Sequence, residues 1–246
     1  MKRGYAVEAL IGVALYSIAG EQARQVIQRK AGCLTAAELE RLAESTLCRQ
    51  EFPEVETVLE SEWRRQRATI ERSFSADGVA LVNELHDLLY SRRQSGFWQV
   101  CLEKASLLLH AGKRETLERI HALRERSLAA GDDPTRDADL ERMRDELGEY
   151  RHSLVMLFDP GALVENVTST LRLAIAGRDA TAAQVATLRY HLAEGVWPPS
   201  AAALVRRFLP ALPEDVEPGT TLGFEPATLD KPPIWKSARL RLEPAK

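Results

Sequence analysis

Apolar residues recur along most of the chain at the spacing of amphipathic helices. Near the N-terminus they lie three and four residues apart, at Val7, Leu10, Ile11, Ala14, Leu15 and Ile18. The same period continues to residue 195 and is interrupted by glycine and proline, which break helices. The pattern predicts a mainly α protein, a multi-helix bundle of antiparallel hairpins with about eight helices.

Breakers and capping motifs set the expected bounds of these helices. Thr35 with Glu38, and Thr181 with Gln184, form capping-box patterns, so each threonine is expected to begin a helix. Helices are predicted over residues 5–30, 35–53, 53–74, from 76 past Leu89, around 97–108, 115–130, 137–158, 162–176 and 181–193. The fifth of these carries an apolar set, namely Phe97, Val100, Cys101, Ala105 and Leu108.

The C-terminal region differs from the rest of the chain in both composition and period. Proline and glycine are frequent after Gly195, and one short helix is predicted near residues 201–208. Residues 220–224 and 234–242 alternate apolar with polar side chains, which predicts two strands paired as a hairpin. We expect a helical bundle domain over 1–195 and a proline-rich cap with a short β-hairpin over 196–246. The edge of this hairpin is a candidate for pairing with a partner strand.

Composition and charge exclude several classes of function. The 246 residues include 33 Lys and Arg against 36 Asp and Glu, which gives a formal net charge of -3. Nucleic-acid binding is not expected, because it requires a strongly basic face. A transmembrane segment is not expected either, because no apolar run reaches the ~20 residues that span a bilayer.

Motifs that mark a cofactor site or a catalytic nucleophile are missing from the sequence. There is no GxGxxG, no phosphate-binding GxxxxGK[ST], no GxSxG and no HExxH, so no cofactor and no catalytic residue is predicted. Cys33, Cys48 and Cys101 lack the spacing of a metal site and are expected to be small buried side chains.

The N-terminal residues allow two interpretations. Lys2 and Arg3 followed by an apolar stretch fit a signal peptide, with Ser17-Ile18-Ala19 as its cleavage site. Glu8 lies inside that stretch, where a charge is costly, and the apolar spacing is helical. A structural helix is therefore favoured, and whether residues 1–20 are cleaved stays open.

Two Glu-x-x-His motifs form a candidate metal site. Glu118 with His121, and Glu149 with His152, have the spacing that projects two ligands from one side of a helix, as in the di-iron site of ferritin-like bundles. Glu118, Glu149 and His152, however, lie away from the apolar stripes of their own helices, and His121 only flanks its stripe. This favours surface residues. A metal-dependent enzyme with this carboxylate and histidine site is the alternative hypothesis.

A series of turn residues follows the last predicted helix. It comprises Tyr190, Gly195, Pro198 and Ser200, then Leu204-Val205 and the run Phe208-Leu209-Pro210-Ala211-Leu212-Pro213. This arrangement resembles a tail found in many uncharacterised bacterial envelope proteins, and it is similar to the C-terminal half of type II secretion pseudopilins. Residues 9–44 look like an upstream helical hairpin of the same envelope proteins.

The resemblance implies a location and no catalytic residue. It places the chain on the periplasmic side of the cell envelope, while a cytoplasmic location stays open. Residues 214–219 depart from the Asp-Pro-x-x-Gly of the pseudopilin calcium loop. The N-terminal membrane helix of those proteins has no counterpart here, so we expect the soluble part of a longer, anchored protein. The leading hypothesis is a non-enzymatic interaction or scaffold domain with a protein partner.

Overall fold

The computed structural model describes residues 6–90, 97–130, 142, 153–158, 160–217, 219–228, 231–240 and 242. Among these residues it contains nine α-helices and one two-stranded sheet. The prediction of a mainly α protein with a C-terminal β-hairpin is therefore confirmed. None of the described helices is long and apolar enough to cross a membrane.

The helices and strands follow one another in a simple order. The helices are α1 (Ala6–Lys30), α2 (Ala36–Glu44), α3 (Thr46–Arg49), α4 (Val55–Arg72), α5 (Val82–Tyr90), α6 (Phe97–Leu107), α7 (Lys113–Ala130), α8 (Ser153–Phe158) and α9 (Pro160–Glu194). Short 3-10 helices cover Ala31–Cys33 and Ala201–Leu204. The strands β1 (Gly223–Glu225) and β2 (Ile234–Lys236) pair antiparallel, with Phe224 opposite Trp235.

The chain forms two compact units. The first unit consists of Met1–Ala6 and Val55–Val167, and the second consists of Val7–Glu54 and Thr168–Lys246. These units are groups of residues in close contact, whereas the predicted domains, 1–195 and 196–246, were expected to fold separately. The domain boundary at residue 195 therefore stays a prediction.

The observed helix bounds agree with the predicted ones where a capping interaction between nearby residues sets them. The capping box at the start of α2 is confirmed: Thr35 N–H donates to Glu38 Oε2 at 2.8 Å, and Glu38 N–H donates to Thr35 Oγ1 at 3.3 Å. The predicted helix 35–53 is in fact two, α2 and α3, because Ser45 between them is extended and its hydroxyl donates to Leu42 O at 2.6 Å. Of the predicted helix 137–158, only Arg142 and 153–158 are described.

Helix α9 is continuous where two helices were predicted. The Thr181 hydroxyl does not cap a new helix but donates to Gly177 O at 2.9 Å, one turn back. Arg24 Nη1, on α1, donates to Gly177 O at 2.8 Å and to Thr181 Oγ1 at 3.2 Å. The predicted break is therefore wrong, because both of its signals, the glycine and the threonine, are used in this buried contact.

The core of each unit is apolar. In the first unit, α4–α8 bury a cluster of Ile70, Phe74, Leu85, Leu107, Ile120, Leu123, Leu154 and Val155. In the second unit, the alanines Ala180, Ala183 and Ala186 of α9 leave room for the hairpin and its neighbours, namely Leu204, Leu209, Leu222, Trp235 and Leu242. A smaller cluster joins Ile27, Leu39 and Val185.

Two glycines of the second unit provide a matched test of backbone conformation. At both Gly12 and Gly195, no described atom lies within 4 Å of the position that a Cβ would take. Gly12 lies in the helical backbone of α1, whereas Gly195 ends α9 with a φ of 70° and donates its N–H to His191 O at 2.9 Å. We expect Gly12→Ala to stabilise the protein by about 0.5–1 kcal/mol and Gly195→Ala to destabilise it by about 1–2 kcal/mol. Thermal unfolding measures both, and shifts of the same sign would contradict the prediction.

His110 is a buried, neutral side chain in the first unit. Its Nδ1–H donates to Ala111 O at 2.8 Å, and its Nε2 accepts the N–H of Leu154 at 3.4 Å. Burial lowers the pKa of this imidazole below its ordinary value of 6.5, against smaller opposing effects of the Ala111 carbonyl and Glu115. Protonation at Nε2 would place a second N–H against that of Leu154 at the start of α8.

The low pKa of His110 predicts a pH-dependent stability. Below the ordinary pKa of about 6.5, the unfolded chain binds a proton at this position that the folded chain does not. The contribution of neutral His110 to the free energy of unfolding is therefore fully present above pH 6.5. It is lost as the pH falls from 6.5 towards the lower pKa of the folded state. In urea titrations between about pH 7.5 and 5.5, we expect His110→Gln to flatten the pH dependence of the free energy of unfolding. An unchanged slope would contradict this role.

Candidate functional site

The residues of the predicted metal site are only partly within the described chain. Glu118 and His121 lie on α7 with side chains 69% and 59% exposed, and they pair with Arg114 (3.7 Å) and Glu125 (3.9 Å) respectively. Glu149 and His152 lie outside the described residues. The four-residue metal site therefore stays a prediction. Within the described ranges, no three His, Cys, Asp or Glu residues are grouped as metal ligands.

A wide apolar surface on α6 and the turn that follows it is the most prominent exposed feature of the first unit. Its five large side chains are each between 67% and 78% exposed. We call this the α6 surface and define it as Phe97, Trp98, Cys101, Leu102, Leu108 and Leu109. A cluster of large exposed apolar side chains on a folded protein marks a binding site more often than chance, whereas single exposed ones do not.

The orientation of α6 is fixed by what it buries. Leu107 enters the core of the first unit, and Glu103 is buried beside it. The Glu103 carboxylate is satisfied by two neighbours, since its Oε2 lies 3.1 Å from His86 Nε2 and its Oε1 accepts from Gln99 Nε2 at 3.2 Å. Lys104 Nζ adds a bond to Asn83 Oδ1 at 2.9 Å. These contacts with α5 leave the opposite face of α6 exposed.

Sequence analysis named three residues of this surface, Phe97, Cys101 and Leu108, as the apolar set of a helix, but it did not predict their exposure. It did not include Trp98, Leu102 and Leu109 in that set. The available signal was the pair of doublets Phe97-Trp98 and Leu108-Leu109, because consecutive apolar residues make the apolar face wider than a single buried stripe needs.

The cysteines occupy different environments from those predicted. Cys33 and Cys101 are exposed, so their prediction as buried side chains is wrong. Cys48 is half-buried, and burial raises the pKa of its thiol to about 11, partly offset by Arg49.

These environments predict selective alkylation. Because the thiolate is the reactive form, we expect Cys48 to react with iodoacetamide at about pH 8 at least about a hundredfold more slowly than Cys33 or Cys101. Three variants that each keep one cysteine, followed by mass spectrometry, measure the rates. Equal rates in the folded protein would contradict the burial of Cys48, and urea should equalise them.

The hairpin edge that the sequence offered as a partner site is short. The predicted strand 234–242 extends only over Ile234–Lys236, and Trp235 at its centre is buried. The chain then bends, and Asp215 accepts bonds from Ser237 Oγ at 2.5 Å and Ala238 N–H at 3.3 Å. A partner strand would therefore find few backbone groups to pair with here.

The α6 surface belongs to the first unit, where α6 packs against α5. Its six residues offer apolar contact area. Comparison with known protein families, with characterised proteins and with solved structures finds no match to this chain.

Proposed function

We propose that this protein is a non-enzymatic interaction or scaffold domain that binds a protein partner in an assembly of the bacterial cell envelope. The observation that supports binding is the α6 surface, where an exposed Phe and Trp stand beside three exposed leucines. Burial of apolar area contributes roughly 25 cal/mol per Å². Aromatic side chains at the centre of an interface supply much of the binding energy.

The charge distribution of α6 favours a protein over a lipid surface. Helices that lie on membranes usually carry several Lys or Arg on their polar face, which attract anionic lipids. Within Phe97–Leu107 the single cation is Lys104, and it is bonded to Asn83. The expected partner presents an apolar groove or helix face of similar size and needs no opposite charge.

The location in the envelope is supported by the resemblance of residues 190–213 to the tails of bacterial envelope proteins. An epitope-tagged protein expressed in its native cells should fractionate with the envelope and become accessible to protease when the outer barrier is opened. Recovery in the cytoplasmic fraction would contradict this part of the proposal and leave the binding surface untouched.

Site-specific photo-crosslinking tests the binding surface in native cells. A benzophenone amino acid at Leu102 should give a defined protein adduct, and the same probe at Arg114, a highly exposed position on α7, should not. Trp98→Asp should abolish the Leu102 adduct while far-UV circular dichroism stays unchanged, because the Trp98 side chain is exposed.

Three outcomes would contradict this proposal. They are identical adducts from both positions, a Leu102 adduct that survives Trp98→Asp, and adducts to lipid alone. Arg92 and Arg93 precede α6 in the sequence, so sedimentation with anionic vesicles supplies the membrane control. Vesicle binding that depends on Trp98 would indicate that the α6 surface binds a lipid surface and not a protein.

A further inference from the structure

The α6 surface has the extent of one side of a stable protein dimer. Its five large side chains are between 67% and 78% exposed. Because a buried aromatic side chain contributes about 150–250 Å², the five together present on the order of 700 Å² to water. A standard interface buries about 800 Å² on each partner. Two copies of this surface placed face to face therefore bury an area typical of a stable complex.

The charges around α6 are compatible with pairing of this surface against itself. Residues 97–112 include two charged side chains, Glu103 and Lys104, and both contact α5. Glu103 Oε2 lies 3.1 Å from His86 Nε2, and Lys104 Nζ donates to Asn83 Oδ1 at 2.9 Å. A two-fold axis places identical patches against each other, so a patch with charges of one sign repels its own copy. The six residues of the α6 surface are uncharged, and this repulsion does not arise.

The shape of the helix face also suits a second copy. Trp98 and Leu102 lie one turn apart and form a ridge of large side chains, because residues four apart stand above one another on a helix. Cys101 and Ala105 form the adjacent row, and both are small and exposed. Helices associate by packing the ridges of one into the grooves of the other. Across a two-fold axis, the ridge of each copy fits the row of small residues on the other.

We propose that the α6 surface binds a second copy of this chain, in a symmetric dimer with the two α6 helices packed across a two-fold axis. This inference rests on the proposed function, since it names the protein partner of the same surface. Homodimer interfaces are more apolar than those of proteins that also exist separately, which agrees with the composition of the α6 surface. Because both copies use the same surface, association stops at two chains.

Sedimentation equilibrium of the full chain under reducing conditions measures this association. We expect the mass to rise with concentration from that of one chain to that of two. Trp98→Asp should raise the dissociation constant at least about a hundredfold, because it places a charge in both halves of the apolar contact. Val196→Asp is the matched control, since it introduces the same charge at an apolar side chain of the second unit that is 59% exposed. It should leave the dissociation constant unchanged.

Three results of the sedimentation experiment would overturn the proposal. They are a monomer at every concentration up to about 100 μM, a mass beyond two chains, and a dimer that survives Trp98→Asp.

Two exposed thiols locate the contact. Cys101 lies in the proposed interface, whereas Cys33 lies in the second unit. A short bis-maleimide should join two copies of the variant that keeps only Cys101, and Trp98→Asp in that variant should prevent the link. The variant that keeps only Cys33 should remain a single chain at the same concentration. Equal yields from the two variants, or no link through Cys101, would overturn the placement of α6 at the two-fold axis.

The mass of the photo-adduct at Leu102 separates the failure of this inference from that of the proposed function. An adduct between two copies of the chain supports both. An adduct to a different protein, together with a monomer in sedimentation, overturns the second copy as the partner and supports the proposed function. The absence of a defined protein adduct at Leu102 overturns the proposed function and the dimer with it.

Discussion

Leu107→Ala is expected to lower the free energy of unfolding by about 2–5 kcal/mol, whereas Leu108→Ala is expected to change it by less than about 0.5 kcal/mol. The two leucines are neighbours in sequence, but Leu107 is fully buried in the core of the first unit and Leu108 is 73% exposed. The first substitution leaves a cavity among Leu85, Ile120 and Leu154, and the second removes a side chain that lies in water.

Urea unfolding followed by far-UV circular dichroism measures the difference between these two variants. Each serves as the control of the other, because the chemical change is identical. The result bears on function, since Leu108, in the turn after α6, belongs to the α6 surface that is proposed to bind a partner. Equal effects, or the reverse order, would mean that α6 presents another face.

Trp235→Ala is expected to destabilise the second unit by about 3–5 kcal/mol. The Trp235 side chain is almost fully buried against Phe224 and Leu204, and its indole N–H is bonded to Thr187. Trp98→Ala is the matched control, because that ring is exposed, and its effect should stay within about 0.5 kcal/mol.

A second variant separates packing from hydrogen bonding at this position. Trp235→Phe keeps an aromatic ring in the core and removes the N–H donor, while Thr187 Oγ1 retains its bond to Ala183 O. We therefore expect Trp235→Phe to lie between the wild type and Trp235→Ala in chemical denaturation. An alanine variant as stable as the wild type would contradict the placement of β2.

Sequence reasoning succeeded where neighbours along the chain decide the structure. The Thr35 to Glu38 capping box depends on residues three apart, and it forms as predicted. The hairpin was also predicted from a local pattern, the alternation of apolar and polar residues; its register, with Phe224 opposite Trp235, comes from the structure. Local backbone and capping preferences are sufficient for such elements.

Sequence reasoning failed where a residue far along the chain determines the local structure. Gly177 and Thr181 carry a stop and a start signal for helices, but Arg24 bonds to Gly177 from 153 residues away and the helix continues. Periodicity likewise grouped Phe97 and Leu108 in the apolar set of the predicted helix 97–108. It could not tell that the opposite face would be buried, because Glu103 finds its partner His86 on another helix. Tertiary contacts override local preference in both cases.

The α6 surface is only partly visible in the sequence. It lies within one short segment, so its apolar composition could be read from the sequence, whereas its exposure depends on the contacts of α6 with α5.

The order in which the second unit appears during synthesis follows from its discontinuous sequence. Helices α1 and α2 leave the ribosome early, but their partners on α9 are translated only after the first unit. These partners are Val185, which packs against Ile27 and Leu39, and Gly177, which accepts a hydrogen bond from Arg24. The first unit is nearly contiguous and can fold as soon as it emerges. Until α9 is made, α1 and α2 hold unburied apolar residues, so the nascent chain is most exposed to aggregation and to chaperones in that interval.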